Sequence, residues 1–185
     1  MGQVLFAIPI YKIISKVLAN RLCRVAHGLI LDSQNAFVKG RQILVFILIA
    51  FECIDSRLKS GILGVLCKLD VEKAYDHVSW DFLMYMLQRC GLLEKWRKWL
   101  MYYISTVKFS ILLNDSPSDF FGISREIRQG DPLSLLLFDI DMEVLSRMFD
   151  VVAFARHFSI FSVGSTAGTS LTVSHLLFAN DSYLL

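Results

Sequence analysis

The sequence predicts an α+β fold in which helices pack against an antiparallel sheet. Apolar residues recur with helical spacing in the first third of the chain and alternate with polar residues in shorter segments further on. The predicted order is two helices, a strand, two helices, a hairpin, a helix and a second hairpin, and hairpins make strands antiparallel. With 185 residues, the chain is long enough for one domain with a buried core, though not comfortably for two.

The first two helices follow from periodicity. Residues 11–30 place apolar side chains on one face and basic side chains on the other, which predicts an amphipathic helix. Residues 32–41 are polar and contain Gly40, so they predict a loop. Residues 42–59 predict a second helix, which is apolar early and charged late.

The middle of the chain predicts a strand followed by two helices. Residues 63–70 alternate between apolar and polar side chains and end at Asp70, which is typical of a strand. Ser79 is a suitable N-cap for a helix that ends near Gly91. Residues 94–105 predict the next helix. Its expected buried stripe consists of Trp96, Trp99 and Leu100.

The second half of the chain predicts two hairpins separated by a helix. Residues 108–113 and 120–126 are predicted strands around a polar turn. Asp131 followed by Pro132 is a strong helix start, because aspartate caps a helix and proline fits its first position; this helix is expected to end near Phe149. The last two strands are predicted at residues 159–163 and 171–178.

The composition is unusually apolar for a free-standing domain, with 55% hydrophobic and 19% charged residues. Such a chain suits an internal part of a larger protein whose other parts cover apolar surface. The longest apolar run, residues 43–51, is shorter than the about 20 residues that a membrane span needs. Residues 1–10 lack the basic start and cleavage site of a signal peptide. We therefore expect no membrane partner.

The cysteines and histidines give no sign of a zinc site. The four cysteines lack C-x-x-C spacing and lie in apolar periodic segments, which predicts buried free thiols and a reducing compartment. They are Cys23, Cys53, Cys67 and Cys90. His175 alternates with Val173 and Leu177, which predicts a histidine packed in the core. The net charge of +2 neither requires nor excludes a nucleic-acid partner.

Two aspartates at strand ends could come together in the predicted sheet. Asp70 ends a strand, and Asp181 lies at a tight turn between two strands. If these strands are neighbours, the carboxylates meet, and paired carboxylates can hold the Mg²⁺ ions used in phosphoryl transfer. Taken alone, an aspartate at a strand end is more often ordinary turn chemistry.

Three ordered segments carry a specific resemblance. LDVEKAYD at residues 69–76, RQGDPLS at residues 128–134 and FAND at residues 178–181 resemble the three catalytic motifs of reverse transcriptase domains. The segments at residues 11–22 and 33–42 are similar to the fingers segments of the same domains. The resemblance is to non-LTR (LINE-type) retrotransposons, particularly plant ones, and covers nearly the whole chain.

The resemblance implies an RNA-directed DNA polymerase with a fingers and palm fold. Residues 1–62 would be fingers-like and residues 63–185 mostly palm, in a single partial domain whose thumb is missing. The implied partners are an RNA template, a DNA primer and deoxynucleoside triphosphates. The implied cofactor is a pair of Mg²⁺ ions, and the implied location is the nucleus or cytoplasm.

The resemblance also assigns roles to individual residues. The catalytic positions would be Asp70, Asn180 and Asp181, and the metal ligands would be Asp70, the carbonyl of Val71, and Asp181. The incoming nucleotide would contact Val71, Tyr75, Gln129 and Gly130. Tyr75 would exclude a ribose 2′-hydroxyl, but it could equally be an aromatic side chain that packs a turn. Gly130 could line the nucleotide pocket, merely start the following helix, or do both.

Basic residues near the start of the chain are candidates for binding the phosphate backbone of the template. Such contacts hold the nucleic acid without reading its base sequence. They are Lys12, Lys16, Arg21, Arg24, Lys39 and Arg41. A solvated helix face is an equally good explanation for each of them. Lys68 could contact phosphate or pair with Asp70.

Three departures from the family pattern indicate a degenerate fragment. Asn180 stands where the family has its main metal-binding aspartate, so a neutral amide replaces a carboxylate. Residues 1–10 contain none of the basic residues that grip a triphosphate, and no later palm motifs or thumb follow Asp181. We therefore expect weak or absent catalysis and dependence on a missing thumb or a larger polyprotein. A dead RNA-binding remnant and a non-functional product of a decayed element are the alternatives.

Overall fold

The computed structural model describes residues 9–26, 28–31, 33–34, 36, 40–61, 63–110, 112–114, 116–117, 119, 121–157, 160–163, 171–179 and 181–184. Over these residues the chain forms helices and small antiparallel sheets, as predicted. They group into two compact units. The first comprises Met1–Val25 and Lys73–Ile140, and the second comprises Ala26–Glu72 and Asp141–Leu185. These two units differ from the predicted fingers-like part (residues 1–62) and palm part (residues 63–185). The predicted division stays a prediction.

The elements follow the predicted order, with some predicted strands divided into shorter ones. The helices are α1 (Pro9–Ala26), α2 (Ile43–Ser60), α3 (Trp80–Arg89), α4 (Glu94–Ser105) and α5 (Pro132–Phe154), with a 3-10 turn at Ala74–His77. The strands are β1 (Cys67–Asp70), β2 (Lys108–Phe109), β3 (Leu112–Leu113), β4 (Ser116–Pro117), β5 (Phe121–Gly122), β6 (Phe161–Val163), β7 (Leu171–Val173), β8 (His175–Phe178) and β9 (Asp181–Leu184). Among the described residues, no helix combines the length and apolarity needed to cross a bilayer.

Several boundaries differ from the prediction. Strand β5 ends at Gly122 although the strand was predicted to residue 126, and β4 lies within the predicted polar turn. Helix α1 ends at Ala26 because the amides of Leu29 and Ile30 both bond to the carbonyl of Ala26 and close a turn. Helix α5 continues to Phe154, beyond the predicted end near residue 149. Strand β1 covers only the last four residues of the predicted strand, because its partner β9 pairs with those four alone, and residues 63–66 are exposed.

In the first unit, capping side chains start the helices as predicted. The Ser79 hydroxyl accepts a bond from the amide of Phe82 at 3.4 Å and caps α3. The Asp131 carboxylate is buried, accepts from the amide of Ser134 at 3.2 Å, and caps α5. It also accepts from the Tyr103 hydroxyl at 3.0 Å. Helix α5 is therefore fixed to α4 within this unit as well as capped.

The predicted buried stripe of α4 is wrong in part. Leu100 is fully buried, but Trp99 is 42% exposed and Trp96 is half-buried. The buried positions are instead Leu100, Tyr103 and Ile104, at the i, i+3 and i+4 spacing of one helix face. Trp99 precedes that face by one residue, a rotation of about 100°, so it lies at the edge of the helix.

In the second unit, β9 lies between β1 and β8, antiparallel to both. Helix α2 packs on the β8 side through Phe46, whose ring centroid lies 5.7 Å from that of Phe178 and 5.5 Å from that of Tyr183. Cys53 and Leu176 belong to the same buried cluster. Of the predicted buried thiols, Cys53 alone is fully buried. Cys23, Cys67 and Cys90 are only partly covered. Cys67 begins the edge strand β1, and Cys90 follows the last residue of α3.

His175 is a packed core histidine, as predicted, and it anchors a hydrogen-bonded network in the second unit. It is buried, with its Nε2 2.6 Å from the Ser146 hydroxyl and its Nδ1 2.8 Å from the Ser174 hydroxyl. The Ser146 hydroxyl also lies 2.7 Å from that of Ser33. The Asp150 carboxylate lies 3.8 Å from Nδ1. Strand β8, helix α5 and the loop before α2 are thereby joined at one point.

We expect protonation of His175 to destabilise the fold. Burial lowers the pKa of His175 below its ordinary value of 6.5, although the nearby Asp150 opposes this shift. The unfolded chain therefore binds a proton near pH 6.5 before the folded chain does, and the contribution of His175 to stability falls as the pH drops below that value. Burial raises the pKa of Asp141 to about 6 and also raises that of Glu143, and both carboxyls act in the opposite direction.

A comparison of variants separates these effects. Urea unfolding followed by circular dichroism would compare the native chain with His175→Gln between about pH 7.5 and about pH 5. Since the carboxyls are common to both proteins, the stability advantage of the native chain should shrink toward acid pH. An advantage that stays constant across this range would show that His175 does not titrate differently in the folded and unfolded chains.

Candidate active site and nucleic-acid interface

The register of the second unit's sheet brings two predicted metal ligands together. Asp70 of β1 is the direct partner of Asp181 of β9, and Asp181 is also the direct partner of Phe178 of β8. Directly opposed residues on antiparallel strands project to the same face, with Cβ atoms about 4.5–5.5 Å apart. The two carboxylates therefore lie side by side, as the sequence predicted for neighbouring strands. Asn180, the third predicted catalytic residue, lies outside the described residues.

Lys68 occupies the same face of the sheet. It precedes Asp70 by two positions, so both side chains project in one direction. Its ammonium lies 3.2 Å from the Asp181 carboxylate and 5.8 Å from the centroid of the Tyr183 ring. Asp181 is the main cause that raises the pKa of Lys68. From the sequence, Lys68 could contact phosphate or pair with Asp70. The cross-strand pairing with Asp181 depends on the register of β1 against β9, which the sequence does not show.

The donor set of this face fits a divalent cation. Two carboxylates at paired positions supply the oxygen ligands that Mg²⁺ prefers. The backbone of Val71 follows β1 directly at this end of the sheet. Within the described part of the chain, no group of three or more acidic, histidine or cysteine side chains is placed to hold a metal. The described side chains therefore offer two carboxylates and one competing ammonium.

Tyr75 and Gly130 belong to the first unit, and each has a clear structural role there. The Tyr75 ring stacks on Phe138 with centroids 4.6 Å apart, and its backbone carbonyl accepts from the amide of Ile127 at 3.0 Å. Burial, with a contribution from Asp139, raises the pKa of Tyr75 to about 12. Gly130 has a φ of 80°, a conformation that favours glycine, in the turn before α5. Gln129 is exposed beside it.

The predicted nucleic-acid-binding residues have different surroundings. Lys12 and Lys16 are exposed on α1, and Arg24 is exposed near its end. The Arg21 guanidinium lies 4.7 Å from the centroid of the Trp96 ring. The Arg41 guanidinium donates to the carbonyls of Ile30, Leu31 and Gln34, so it fixes the preceding loop. Lys39 lies outside the described residues. Binding of a template by these residues stays a prediction.

Buried acidic residues of α5 were missed by the sequence analysis. Asp139 and Glu143 are almost fully buried. Glu143 accepts from the amide of Leu31 at 3.0 Å and pairs with Arg147 at 2.9 Å, so it holds the loop before α2 against the helix. The available signal was an acidic residue within an otherwise apolar helical run, which normally marks a buried and partnered group.

Comparisons with known proteins agree with the motifs. The family model for reverse transcriptase (RNA-dependent DNA polymerase) matches residues 6–185. The chain is 31% identical over 133 residues to a Pol polyprotein from the type-1 retrotransposable element R2 of Nasonia vitripennis, covering 71% of this chain and 13% of that protein. It is 27% identical over 130 residues to the R2 polyprotein of Popillia japonica, covering 70% of this chain and 20% of that protein.

A third relative and a solved structure extend this result. The uncharacterized 149 kDa protein of transposon TX1 from Xenopus laevis is 27% identical over 133 residues, covering 72% of this chain and 10% of that protein. The chain thus spans between a tenth and a fifth of the length of these relatives. Telomerase from Candida albicans, solved with a fragment of telomeric RNA, has a TM-score of 0.59 at 12% identity, covering 94% of this chain and 30% of that one, which shows a likeness of fold. The chain belongs to the reverse transcriptase family, as a domain of the non-LTR retrotransposon type.

Proposed function

We propose that this chain is the polymerase part of a plant-type LINE retrotransposon protein and that its nucleotidyl transfer is strongly weakened by Asn180. The observation that carries the proposal is the direct pairing of Asp70 with Asp181 on one face of the sheet. Its substrates are deoxynucleoside triphosphates, an RNA template and a DNA primer. Since the chain spans a small part of its relatives, we propose that the remainder of a larger polyprotein, including a thumb, completes the active enzyme.

The paired carboxylates are the proposed metal ligands. Asp70, Asp181 and the carbonyl of Val71 would hold Mg²⁺, which when bound lowers the pKa of an attacking hydroxyl and offsets charge on the phosphates. The carboxylates lie on strands rather than on loops, so the sheet fixes their spacing before any ion arrives. The Lys68 ammonium, which pairs with Asp181, must move or share that carboxylate when an ion binds.

Asn180 weakens this site by its charge. A neutral amide oxygen can still coordinate a cation, but it contributes no negative charge to a site that binds dications. Loss of one principal electrostatic group typically costs on the order of 10²-fold or more in rate. In the chain that carries this asparagine, Asp181 after the turn is still paired with Asp70 on β1 and with Phe178 on β8.

Tyr75, Gln129 and Gly130 are the proposed nucleotide contacts. The Tyr75 ring is held by stacking on Phe138, so its position is fixed before a nucleotide binds, as exclusion of a 2′-hydroxyl requires. Gln129 offers an exposed amide that can both donate and accept. Gly130 exposes its backbone without a side chain, which allows close approach by a ligand.

RNA binding without catalysis is the second candidate function. The exposed Lys12 and Lys16 on α1 support it, because exposed cations on one helix can bind successive phosphates. Such binding would be strongly salt-dependent and would not require divalent ions. It would leave the replacement at Asn180 without consequence for function.

Restoring the aspartate should restore catalysis. Primer extension on an RNA template with Mg²⁺ would compare the native chain with Asn180→Asp, and we expect the variant to be on the order of 10²-fold faster. The double variant Asn180→Asp, Asp70→Ala should be inactive, which ties the gain to the paired carboxylates. Equal and measurable rates of the native chain and Asn180→Asp would show that the amide is tolerated and that our proposal of weakened catalysis is wrong. No activity in any of these proteins would contradict the proposal that Asn180 is the cause and would assign the loss to the missing thumb.

Removal of Lys68 should strengthen metal binding. Without the competing ammonium at Asp181, Lys68→Met should bind Mn²⁺ about 3- to 10-fold more tightly, because a solvent-exposed cation competes only modestly for a carboxylate. The measurement is the free Mn²⁺ signal in electron paramagnetic resonance, which does not require activity.

A matched control is available in the same unit. Lys59 pairs with Asp55 at 2.6 Å on α2, so Lys59→Met removes an equivalent exposed ion pair away from the sheet and should leave Mn²⁺ affinity unchanged. When Asp181→Asn is also present, the chain with Lys68 and the Lys68→Met variant should have the same Mn²⁺ affinity. Weaker Mn²⁺ binding by Lys68→Met would mean that Lys68 positions the carboxylate instead of competing for it.

A further inference from the structure

An aromatic groove lies between α1 and α4 in the first unit. Its volume is about 500 Å³, within the range of binding sites for small ligands. Aromatic rings line it on several sides, together with aliphatic side chains of α1. The aromatic residues are Tyr11, Trp99, Tyr102 and Tyr103, and the aliphatic ones include Ile10 and Ile14.

The inner wall of the groove is rigid. The rings of Tyr11 and Tyr103 pack with centroids 5.2 Å apart. The Tyr103 hydroxyl donates to the buried Asp131 carboxylate at 3.0 Å, and the Tyr11 hydroxyl bonds to that of Thr106. Because both hydroxyls form hydrogen bonds within the protein, this wall presents the apolar surface of the rings in a fixed geometry.

The outer edge of the groove is open to solvent. Tyr102 is 72% exposed and Trp99 is 42% exposed. Large aromatic side chains are normally covered in a folded protein, and exposed ones that line a concave surface indicate a binding site. Of these two residues, Trp99 is the one that the sequence alone predicted to be buried.

Two cationic side chains lie close to the Trp99 ring at this edge. The Lys95 ammonium lies 5.3 Å from the centroid of the Trp99 ring, and the Arg21 guanidinium lies 6.0 Å from it. Arg21 follows Ile14 by two helical turns and so falls on the groove side of α1, whereas the spacing of Lys12 and Lys16 places them on its other flank. The side chains that line the groove include no carboxylate that would repel an anion.

We propose that this groove binds single-stranded RNA, with bases stacked on Tyr102 and Trp99 and phosphates on Arg21 and Lys95. Exposed aromatic rings beside cations are the combination that single-stranded nucleic acids require, because every base has a stacking face and every linkage a negative charge. A purely apolar partner would leave the two cations unused. The proposal rests on membership in a nucleic-acid polymerase family, and it is independent of Asn180, of metal and of retained catalysis.

Fluorescence anisotropy with a labelled adenosine-rich RNA of about 20 nucleotides tests the proposal. The buffer contains EDTA, which removes divalent ions. A lack of RNA binding would therefore contradict this proposal without bearing on the proposed metal site. Tyr102→Ala and Trp99→Ala should each weaken binding by about 5- to 100-fold, the usual effect of losing one stacked base. Tyr85→Ala is the matched control, since Tyr85 is 56% exposed on α3 and lies outside the groove. It should bind as the native chain does.

The dependence on salt separates stacking from charge. Tyr102→Ala removes no charge, so the slope of log affinity against log salt should stay the same, while Arg21→Gln and Lys95→Gln should each reduce it by about one phosphate contact. Tyr102→Phe should bind normally, which guards against a variant that fails to fold. Equal affinity of the native chain and both alanine variants would overturn the proposal. So would self-association that Tyr102→Ala abolishes in sedimentation without any RNA binding.

Discussion

The register of β1 against β9 is the constraint on which the candidate active site depends. It sets Asp70 opposite Asp181 and Lys68 opposite Tyr183, so that all four side chains share one face of the sheet. A slip of one residue would move every side chain of β1 to the other face. The carboxylate pair is therefore a property of strand pairing, and any change that shifts the register removes it without touching either aspartate.

Contacts on both faces of the neighbouring strand β8 hold this register. On one face, Phe46 of α2 packs against Phe178 and Tyr183. On the other, His175 bonds to Ser146 of α5. The backbone of β8 is also tied to the loop before α2, because the amide of Leu177 donates to the carbonyl of Ser33 at 2.8 Å. The aromatic contact lies on the same face as the carboxylates, since Phe178 is the direct partner of Asp181, whereas His175 lies on the opposite face. The register is therefore maintained in part by groups that a ligand at the carboxylates would not touch.

Local features of the fold were predictable from sequence, and features that join distant segments were not. Ser79 and Asp131 start their helices as predicted, because capping involves residues three positions apart. The motifs likewise marked Asp70 and Asp181 as a pair. The partners of Arg41 and Lys68 depend on where the chain returns, and the exposure of Trp99 depends on what covers α4. Periodicity identifies an apolar face and cannot say whether another element packs on it.

The ion pair of Lys68 with Asp181 also affects the stability of the sheet. Two carboxylates on neighbouring strands repel each other when no cation is bound, and like charges directly opposite destabilise a sheet. Lys68 supplies a cation from within the chain, so the sheet does not need a metal to pair correctly. The strand pairing therefore has a source of charge compensation within the chain itself, which does not depend on a bound metal.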